Sequence, residues 1–295
     1  MGLGIVAVQN TLELWQQGHF SNVKAVCEIG AQEIHVPLNI FESSLEQAGI
    51  VETSQKDFPG LSNWPDYPRC SAKYLYKKLG VLEYQCVDVN GDHGAINHDL
   101  NYELTTTELF GKFDLVTDHG ACEHVFNVAE AYRTLHKLCK PGGLIVIAQS
   151  LWAGNGYFLY DRSFVDGIAA ANSYEVLFEA YVVTVLKNEG GGMQDQFFVP
   201  FSRNLLGCID LNKVKELGIY VVFRKINDEE FRIPYQGSLM SRIGYQYGFN
   251  RAYLKDPIRY SYLPESTPSR PEKIPGRVLV GELFRRVLKK IGIKR

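Results

Sequence analysis

Short apolar runs alternate with stretches of helical periodicity between residues 23 and 148, and a polar residue and a turn close each run. Strands that alternate with helices form mostly parallel sheets that helices cover. The pattern therefore predicts an α/β fold. The predicted strands are 25–29, 84–89, 113–117 and 144–148.

The segment between the third and fourth of these strands has the clearest helical pattern. Its apolar residues recur at the spacing of one helix face from about residue 128 to 140, and a Pro-Gly-Gly sequence at 141–143 ends it. Later in the chain we expect a helix that ends near residue 171 and two further strands, 176–186 and 217–224.

Two interruptions of this pattern suggest the domain organisation. About 54 residues separate the first two strands, far more than the usual short loops and single helix, which indicates a functional insertion. Four prolines within residues 264–275 are typical of a semi-rigid linker. We therefore predict a domain over 1–225 with an insertion at about 31–84, an aromatic and basic extension or lid over 226–263, a proline-rich linker over 264–276, and a basic amphipathic helix over 277–295.

The charge of the chain is distributed unevenly. Its 295 residues carry a net charge of −2, but residues 277–295 hold seven basic residues and one acidic residue, so the rest of the chain is at −8. An acidic body disfavours nucleic-acid binding, which needs a basic face, so we expect no nucleic-acid partner. The basic helix over 277–295 could contact an anionic membrane surface, its own domain or a second subunit, and the sequence leaves these open.

The cysteines and the apolar runs indicate where the protein resides. Six cysteines are scattered without a C-x-x-C pair, which predicts reduced thiols, a cytoplasmic location and no metal site. No apolar run reaches the length of a bilayer span of about 20 residues. The prediction is a cytoplasmic protein whose basic segment could hold it peripherally at a membrane.

The first predicted strand ends in an acid and a glycine turn, Glu28-Ile29-Gly30, as nucleoside-binding turns do. A dinucleotide fingerprint would need further glycines to hold pyrophosphate at a helix N-terminus. Here Gln32 replaces the second glycine, and Glu33 adds a negative charge. This pattern disfavours a nicotinamide-dependent oxidoreductase and favours a cofactor with no phosphate and a cationic end, such as S-adenosylmethionine.

Further polar residues follow the next strands in an ordered series. Asp88 ends the second strand and is suited to accept hydrogen bonds from two ribose hydroxyls, and Asp99 could accept one from an adenine amino group. The block over 113–125 then contains Asp118-His119 and Glu123-His124. A Lys-Pro-Gly-Gly sequence at 140–143 closes the series.

In this order the motifs resemble the class I S-adenosylmethionine-dependent methyltransferases over about residues 23–148, half of the chain. They resemble the superfamily as a whole rather than one named activity. The resemblance implies a Rossmann-like, doubly wound, mostly parallel sheet with an antiparallel seventh strand, here followed by a C-terminal extension. It also implies S-adenosylmethionine as cofactor. The cofactor-binding candidates are Glu28, Gly30, Gln32, Asp88, Asp99, Leu100, Asp118 and His119.

Two features depart from the family pattern. The glycine-rich turn is depleted, which puts its backbone contacts with the cofactor in doubt. The family's ribose-binding acid usually follows the first strand by about one helix, where this chain has Glu52. Glu52 is thus a competitor for the ribose role, and the spacing to Asp99 favours Asp88.

The expected reaction is methyl transfer by in-line displacement to a small-molecule or glycan-like hydroxyl or amine. The sulfonium is already activated, so no metal is required, although a hydroxyl acceptor would benefit from a general base. His119 and His124 are the catalytic candidates; for each, a packing or capping role is the alternative. The acceptor-binding candidates follow the fifth strand: Asn155, Tyr157, Tyr160 and Asp161. The other hypothesis for the whole chain is a nucleotide-fold binding or scaffold module without turnover, recruited through 277–295.

Overall fold

A central eight-stranded sheet organises the chain in the computed structural model, which describes residues 2–51, 55–185, 196–199, 201 and 211–235. In chain order the elements are β1 (Gly2–Leu3), α1 (Ile5–Gln16), β2 (Ala25–Ile29), β3 (Glu33–Ile34), α2 (Leu38–Gln47), α3 (Lys73–Lys78), β4 (Glu83–Asp88), β5 (Ile96–Asn97), β6 (Phe113–His119), α4 (Val128–Leu138), β7 (Cys139–Trp152), α5 (Arg162–Ala171), β8 (Glu175–Val185), β9 (Gln196–Val199) and β10 (Val214–Arg224). Short 3₁₀ helices lie at Gln55–Asp57, Leu61–Asn63, Asp92–Gly94, Thr107–Leu109, Cys122–His124 and Leu211–Lys213.

The strand order in the sheet is β5-β4-β2-β6-β7-β10-β8-β9, and β1 pairs separately with β3. The five strands from β5 to β7 are parallel, whereas β10 is antiparallel to both of its neighbours, β7 and β8. The chain leaves β2 toward β4 on one side and returns to β6 on the other side. Because the direction of winding reverses there, a crevice for a ligand is expected at the carboxyl ends of β2 and β6.

Both faces of the sheet are covered, which explains why its central strands are apolar. Every residue of β2 and β6 is buried. One face packs against a cluster that includes Leu12 of α1, Phe41 of α2 and Leu75 of α3. The other face packs against α4 and α5, through residues such as Leu135 and Ile168. This confirms the predicted doubly wound α/β fold.

The six predicted strands and the two predicted helices before residue 172 are confirmed, with different ends for most of them. The predicted antiparallel seventh strand corresponds to β10, and the short strand β9 adds an extra edge beside β8. The Pro-Gly-Gly sequence does not form a separate loop after α4. Gly142 adopts a φ of +79°, and its N–H donates to the carbonyl of Lys225, so the irregular segment lies within β7.

The sequence pattern predicted neither α1 nor β1. In the structure, the two elements pack the start of the chain against the long segment between β2 and β4. β1 pairs with β3 of that segment, and the backbone there is close enough that a Cβ on Gly2 would lie 2.5 Å from the Glu33 carbonyl oxygen.

The segment after β10 continues along α4 and α5. The Lys225 ammonium is buried and donates to the carbonyls of His136 (3.0 Å) and Cys139 (2.9 Å), and the Arg232 N–H donates to Asn172 (2.8 Å). Residues 236–295 lie outside the described part, and with them most of the predicted lid, the linker and the basic helix. Within the described residues, no helix has the length and apolar character of a membrane span.

Candidate active site

The turn after β2 is held against the end of β4. Gly30 has a φ of +83°, a conformation that favours glycine, and its N–H donates to the Val87 carbonyl at 2.8 Å. The Asp88 carboxylate accepts hydrogen bonds from the Ala31 N–H (2.7 Å) and the Asn90 N–H (3.2 Å). Asp88 therefore links the turn after β4 to the turn after β2, and β2 is the strand beside which the strand order reverses.

No helix begins at this turn. The chain continues from Gly30 into β3, and the next helix starts only at Leu38. The turn therefore lacks the helix N-terminus that would hold a pyrophosphate, which agrees with the expectation from Gln32. Gln32 itself is buried, and its amide donates back to the Ile29 carbonyl at 2.6 Å, so it stabilises the turn from within.

The charge of Glu33 is compensated, contrary to the interpretation from sequence. Its carboxylate lies 3.3 Å from the Arg69 guanidinium, 3.3 Å from His35 and 3.2 Å from His93. An unpaired negative charge at this turn is therefore not what disfavours a phosphate. The absence of a helix start at Gly30 provides that argument instead.

Glu28 is the penultimate residue of β2, and its side chain is covered by residues of the neighbouring strands β4 and β6. It is fully buried, and its carboxyl accepts hydrogen bonds from the Tyr84 hydroxyl (2.5 Å) and the Thr117 hydroxyl (3.4 Å). Burial raises the pKa of Glu28 to about 8. Glu28 is thus mostly neutral at pH 7 and adds no negative charge for a cationic cofactor.

Asp99 and Leu100 follow β5, next to the Asp88 turn. The His98 N–H donates to the Asp88 carbonyl at 3.1 Å, which joins the two segments. Hydrogen bonds from the backbone and side chain of Asn101 lower the pKa of Asp99, so this carboxylate is ionised at neutral pH. Leu100 is buried against the core.

Asp118 and His119 end β6 and shape the loop that follows. One carboxylate oxygen of Asp118 accepts from the Ala121 N–H (2.9 Å) and the Cys122 N–H (3.2 Å), and the other is bonded by the Gln149 amide. Burial raises the pKa of Asp118 to about 6 and lowers that of His119 to about 4. The His119 imidazole is therefore neutral at pH 7.

A cavity of about 330 Å³ adjoins the end of β6. It is bounded by the start of α1 and by β6, β7, β8 and β10, with the loop after β7 at its side. Three of the predicted site residues line it: His119, His124 and Asn155. Of the cofactor-binding candidates, only His119 lines the cavity. The candidates in and after β2, β4 and β5 do not line it, and neither does Asp118.

Two carboxylates share a serine hydroxyl in the wall of this cavity. The Ser150 N–H donates to Glu123 (2.7 Å), and the Ser150 hydroxyl lies 3.0 Å from Glu123 and 2.8 Å from Glu216. His124 is half-exposed beside them, 3.7 Å from Glu123. Sequence reasoning missed Ser150 and Glu216, because no motif surrounds either residue and the two are distant along the chain.

The remaining acceptor-binding candidates lie outside the cavity lining. Tyr157 is 73% exposed and packs edge-on against Phe126. Tyr160 is buried, with its hydroxyl donating to the Cys122 carbonyl at 3.2 Å, and Asp161 caps α5 by accepting from the Ser163 N–H. None of these three lines the cavity.

We expect Gly156→Ala to disturb the cavity wall. An added Cβ would lie 2.6 Å from the Glu123 carbonyl oxygen and 2.8 Å from the Glu123 Cβ, so the loop after β7 would have to move. Such overpacking should lower the free energy of unfolding by about 1–3 kcal/mol, measured by urea denaturation. Gly167→Ala is the control, because its Cβ would meet Pro234 at an ordinary 3.4 Å. Equal effects of the two substitutions would show that Gly156 is not tightly packed.

Comparisons with known proteins give structural similarities only. No family model and no curated protein matches the chain. Similar solved structures include a SAM-dependent methyltransferase from Archaeoglobus fulgidus, 13% identical, covering 74% of this chain and 93% of that one with a TM-score of 0.36. Another is a mutant 16S rRNA (adenine(1408)-N(1))-methyltransferase from Catenulisporales acidiphilia, 10% identical, covering 75% and 94% with a TM-score of 0.31.

The class of fold follows from the topology of the chain itself. Five parallel strands wound in both directions, followed by the antiparallel β10 between β7 and β8, make a Rossmann-like sheet of the class I methyltransferase type. This is the fold that the resemblance of the motifs implied.

Proposed function

We propose that the chain is an S-adenosylmethionine-dependent methyltransferase with its cofactor at the carboxyl ends of β2, β4 and β6. The observation that carries the proposal is the position of Asp88, whose carboxylate joins the turn after β4 to the Gly30 turn of β2, the strand at which the strand order reverses. Ligands of open α/β sheets bind at such points.

The residues of this edge fit a nucleoside without phosphates. Asp88 would accept hydrogen bonds from the ribose hydroxyls, and Asp99 with Leu100 would border the adenine. The turn at Gly30 would pass close to the cofactor, because its backbone carries no side chain there. Gln32, Glu28 and Asp118 would support these turns from below rather than touch the cofactor.

The cavity beside His119 is the proposed acceptor site. S-adenosylmethionine supplies a methyl group that is already activated by its sulfonium, so the protein has mainly to hold the acceptor in line with it. His119 and Asn155 would orient a small-molecule or glycan-like hydroxyl or amine. The second catalytic candidate is His124, which lies at the exposed side of the cavity and would accept or donate a proton there.

A small molecule fits this site better than a nucleic acid does. The described residues that line the cavity include Glu123 and Glu216 but no lysine or arginine, and the nucleic-acid backbone is bound mainly through such basic side chains. We also propose a cytoplasmic location, since the five cysteines in the described part are unpaired and buried. Residues 277–295 remain candidates for contact with a membrane or a subunit.

Isothermal titration calorimetry of the full chain with S-adenosylhomocysteine tests the proposed cofactor. We expect saturable binding of one molecule per chain. A folded protein that releases no heat with S-adenosylhomocysteine or S-adenosylmethionine would contradict the proposal and favour a binding or scaffold module without turnover.

A further inference from the structure

The wall of the cavity contains more hydrogen-bond acceptors than its donors can satisfy. The Ser150 hydroxyl has one hydrogen, yet it lies within hydrogen-bond distance of both Glu123 and Glu216. It can donate to only one of the two carboxylates at a time. If it donates to Glu216, Glu123 keeps the Ser150 N–H as a donor. If it donates to Glu123, Glu216 needs a proton, or a donor supplied from the cavity.

Two buried polar atoms at the same cavity have no hydrogen-bond partner among the described residues. One is Nε2 of His119, which is 95% buried, and the other is Oε1 of Gln149, which is 96% buried. The Gln149 amide nitrogen faces Asp118, so its oxygen is left as an acceptor. Buried polar atoms without a partner are unfavourable, so a bound group that donates to them would be stabilised.

The charges at the cavity have one sign. Glu123 and Glu216 line it, and the histidines that line it with lowered pKa values, His35 and His119, are neutral at pH 7 because of burial. Burial raises the pKa of the Glu216 carboxyl, and the charge of the neighbouring Lys215, which does not line the cavity, acts against that shift.

We propose that this cavity binds the protonated amino group of the acceptor, so that the substrate class is a small aliphatic amine. The inference rests on the proposed function, since it assigns the acceptor of that reaction. An ammonium group has up to three hydrogens to donate and no acceptor, and it thereby complements Glu216, Glu123 and the unpaired atoms of His119 and Gln149. A neutral alcohol has one hydrogen and no charge to offer.

The nature of His119 also favours an amine over a hydroxyl acceptor. Transfer to a hydroxyl profits from a base with a pKa near neutrality. Burial lowers the pKa of His119 to about 4, which leaves it a weak base but a suitable hydrogen-bond acceptor. An amine nitrogen is itself a good nucleophile once the ammonium has released one proton to the Glu216 carboxylate. The new N–CH₃ bond then forms as the S–CH₃ bond of S-adenosylmethionine breaks, and S-adenosylhomocysteine leaves.

Titration of the full chain with n-butylamine and with n-butanol, in the presence of saturating S-adenosylhomocysteine, tests this inference at neutral pH. We expect butylamine to bind more tightly than butanol by about tenfold or more, because only the amine makes charge-assisted hydrogen bonds. Glu216→Gln should remove about tenfold of the butylamine affinity and leave the affinity for S-adenosylhomocysteine unchanged. The matched control is Glu46→Gln, which makes the same change of charge on the exposed side of α2.

Each result bears on one of the two proposals. If S-adenosylhomocysteine binds but butylamine binds no more tightly than butanol, the amine assignment is wrong and the proposed function stands. If Glu216→Gln weakens S-adenosylhomocysteine instead, the carboxylates serve the cofactor's own ammonium group, which also overturns the inference. Should the variant not fold, the carboxyl ¹³C signals of wild-type glutamates give the answer, since butylamine must shift those of Glu123 and Glu216.

Discussion

Asp88→Ala is expected to reduce the affinity for S-adenosylhomocysteine by about 100- to 1000-fold, the value of two lost hydrogen bonds to a charged group. The carboxylate would bind the ribose, and it also holds the Ala31 and Asn90 N–H groups. Its removal therefore loosens both turns of the cofactor site as well as deleting a contact. Calorimetry of the variant and of the wild type measures the change.

Two further variants separate the role of Asp88 from a general loss of charge. Asp92→Ala removes an exposed carboxylate from the same loop and should leave the affinity nearly unchanged. Asp88→Asn keeps the shape of the side chain and should fall between the wild type and Asp88→Ala. If Glu52→Ala abolishes binding while Asp88→Ala does not, the ribose role belongs to Glu52, which lies outside the described residues.

Local sequence patterns predicted the parallel half of the fold well. The bounds of β2 agree with the prediction at both ends, and those of β4 differ by one residue, because both strands are short and closed by turn residues. Of the strands after α4, β7 and β10 are longer than predicted, whereas β8 has the predicted length with both ends shifted by one residue. β7 includes the irregular Pro-Gly-Gly segment, which a pattern based on single residues takes for a loop.

The candidate site was predicted less completely, because its geometry depends on which face of a strand a side chain occupies. Glu28 ends an apolar run in the manner of a cofactor-binding acid, yet its side chain points into the sheet toward Tyr84 and Thr117. Ser150 and Glu216 meet only because β7 and β10 are neighbours, and 66 residues separate them along the chain. No local sequence motif predicts a contact between two residues that are so far apart along the chain.

The structure also changes the interpretation of the net negative charge that the chain carries before residue 277. The negative charges that were expected to attract a cationic cofactor are reduced, since Glu28 is mostly neutral and Glu33 is paired with Arg69. Asp88 and Asp99 remain at the proposed cofactor edge. Two carboxylates face the cavity, those of Glu123 and Glu216, and both lie at the proposed acceptor site. The negative charge of the acidic residues therefore says more about the chemistry of the acceptor than about that of the cofactor.

Glu28→Gln is expected to remove a large part of the loss of stability that the wild type shows as the pH rises from about 5 to 8. The pKa of this carboxyl is about 8 in the folded chain and 4.5 as its ordinary value, so the folded state holds a proton that the unfolded state releases between these values. Stability therefore falls as the pH rises from about 4.5 toward 8. Glutamine keeps the shape and a hydrogen-bond acceptor for Tyr84, but it does not titrate.

The free energy of unfolding of Glu28→Gln minus that of the wild type should therefore increase by about 3 kcal/mol between pH 5 and pH 8, measured by urea denaturation at each pH. The buried histidines act in the opposite direction, since their lowered pKa values favour the folded state as the pH rises. They are common to both proteins and cancel in the difference. Glu46→Gln, on the surface, should follow the wild type at every pH. Parallel curves for Glu28→Gln and the wild type would mean that Glu28 ionises normally in the folded chain.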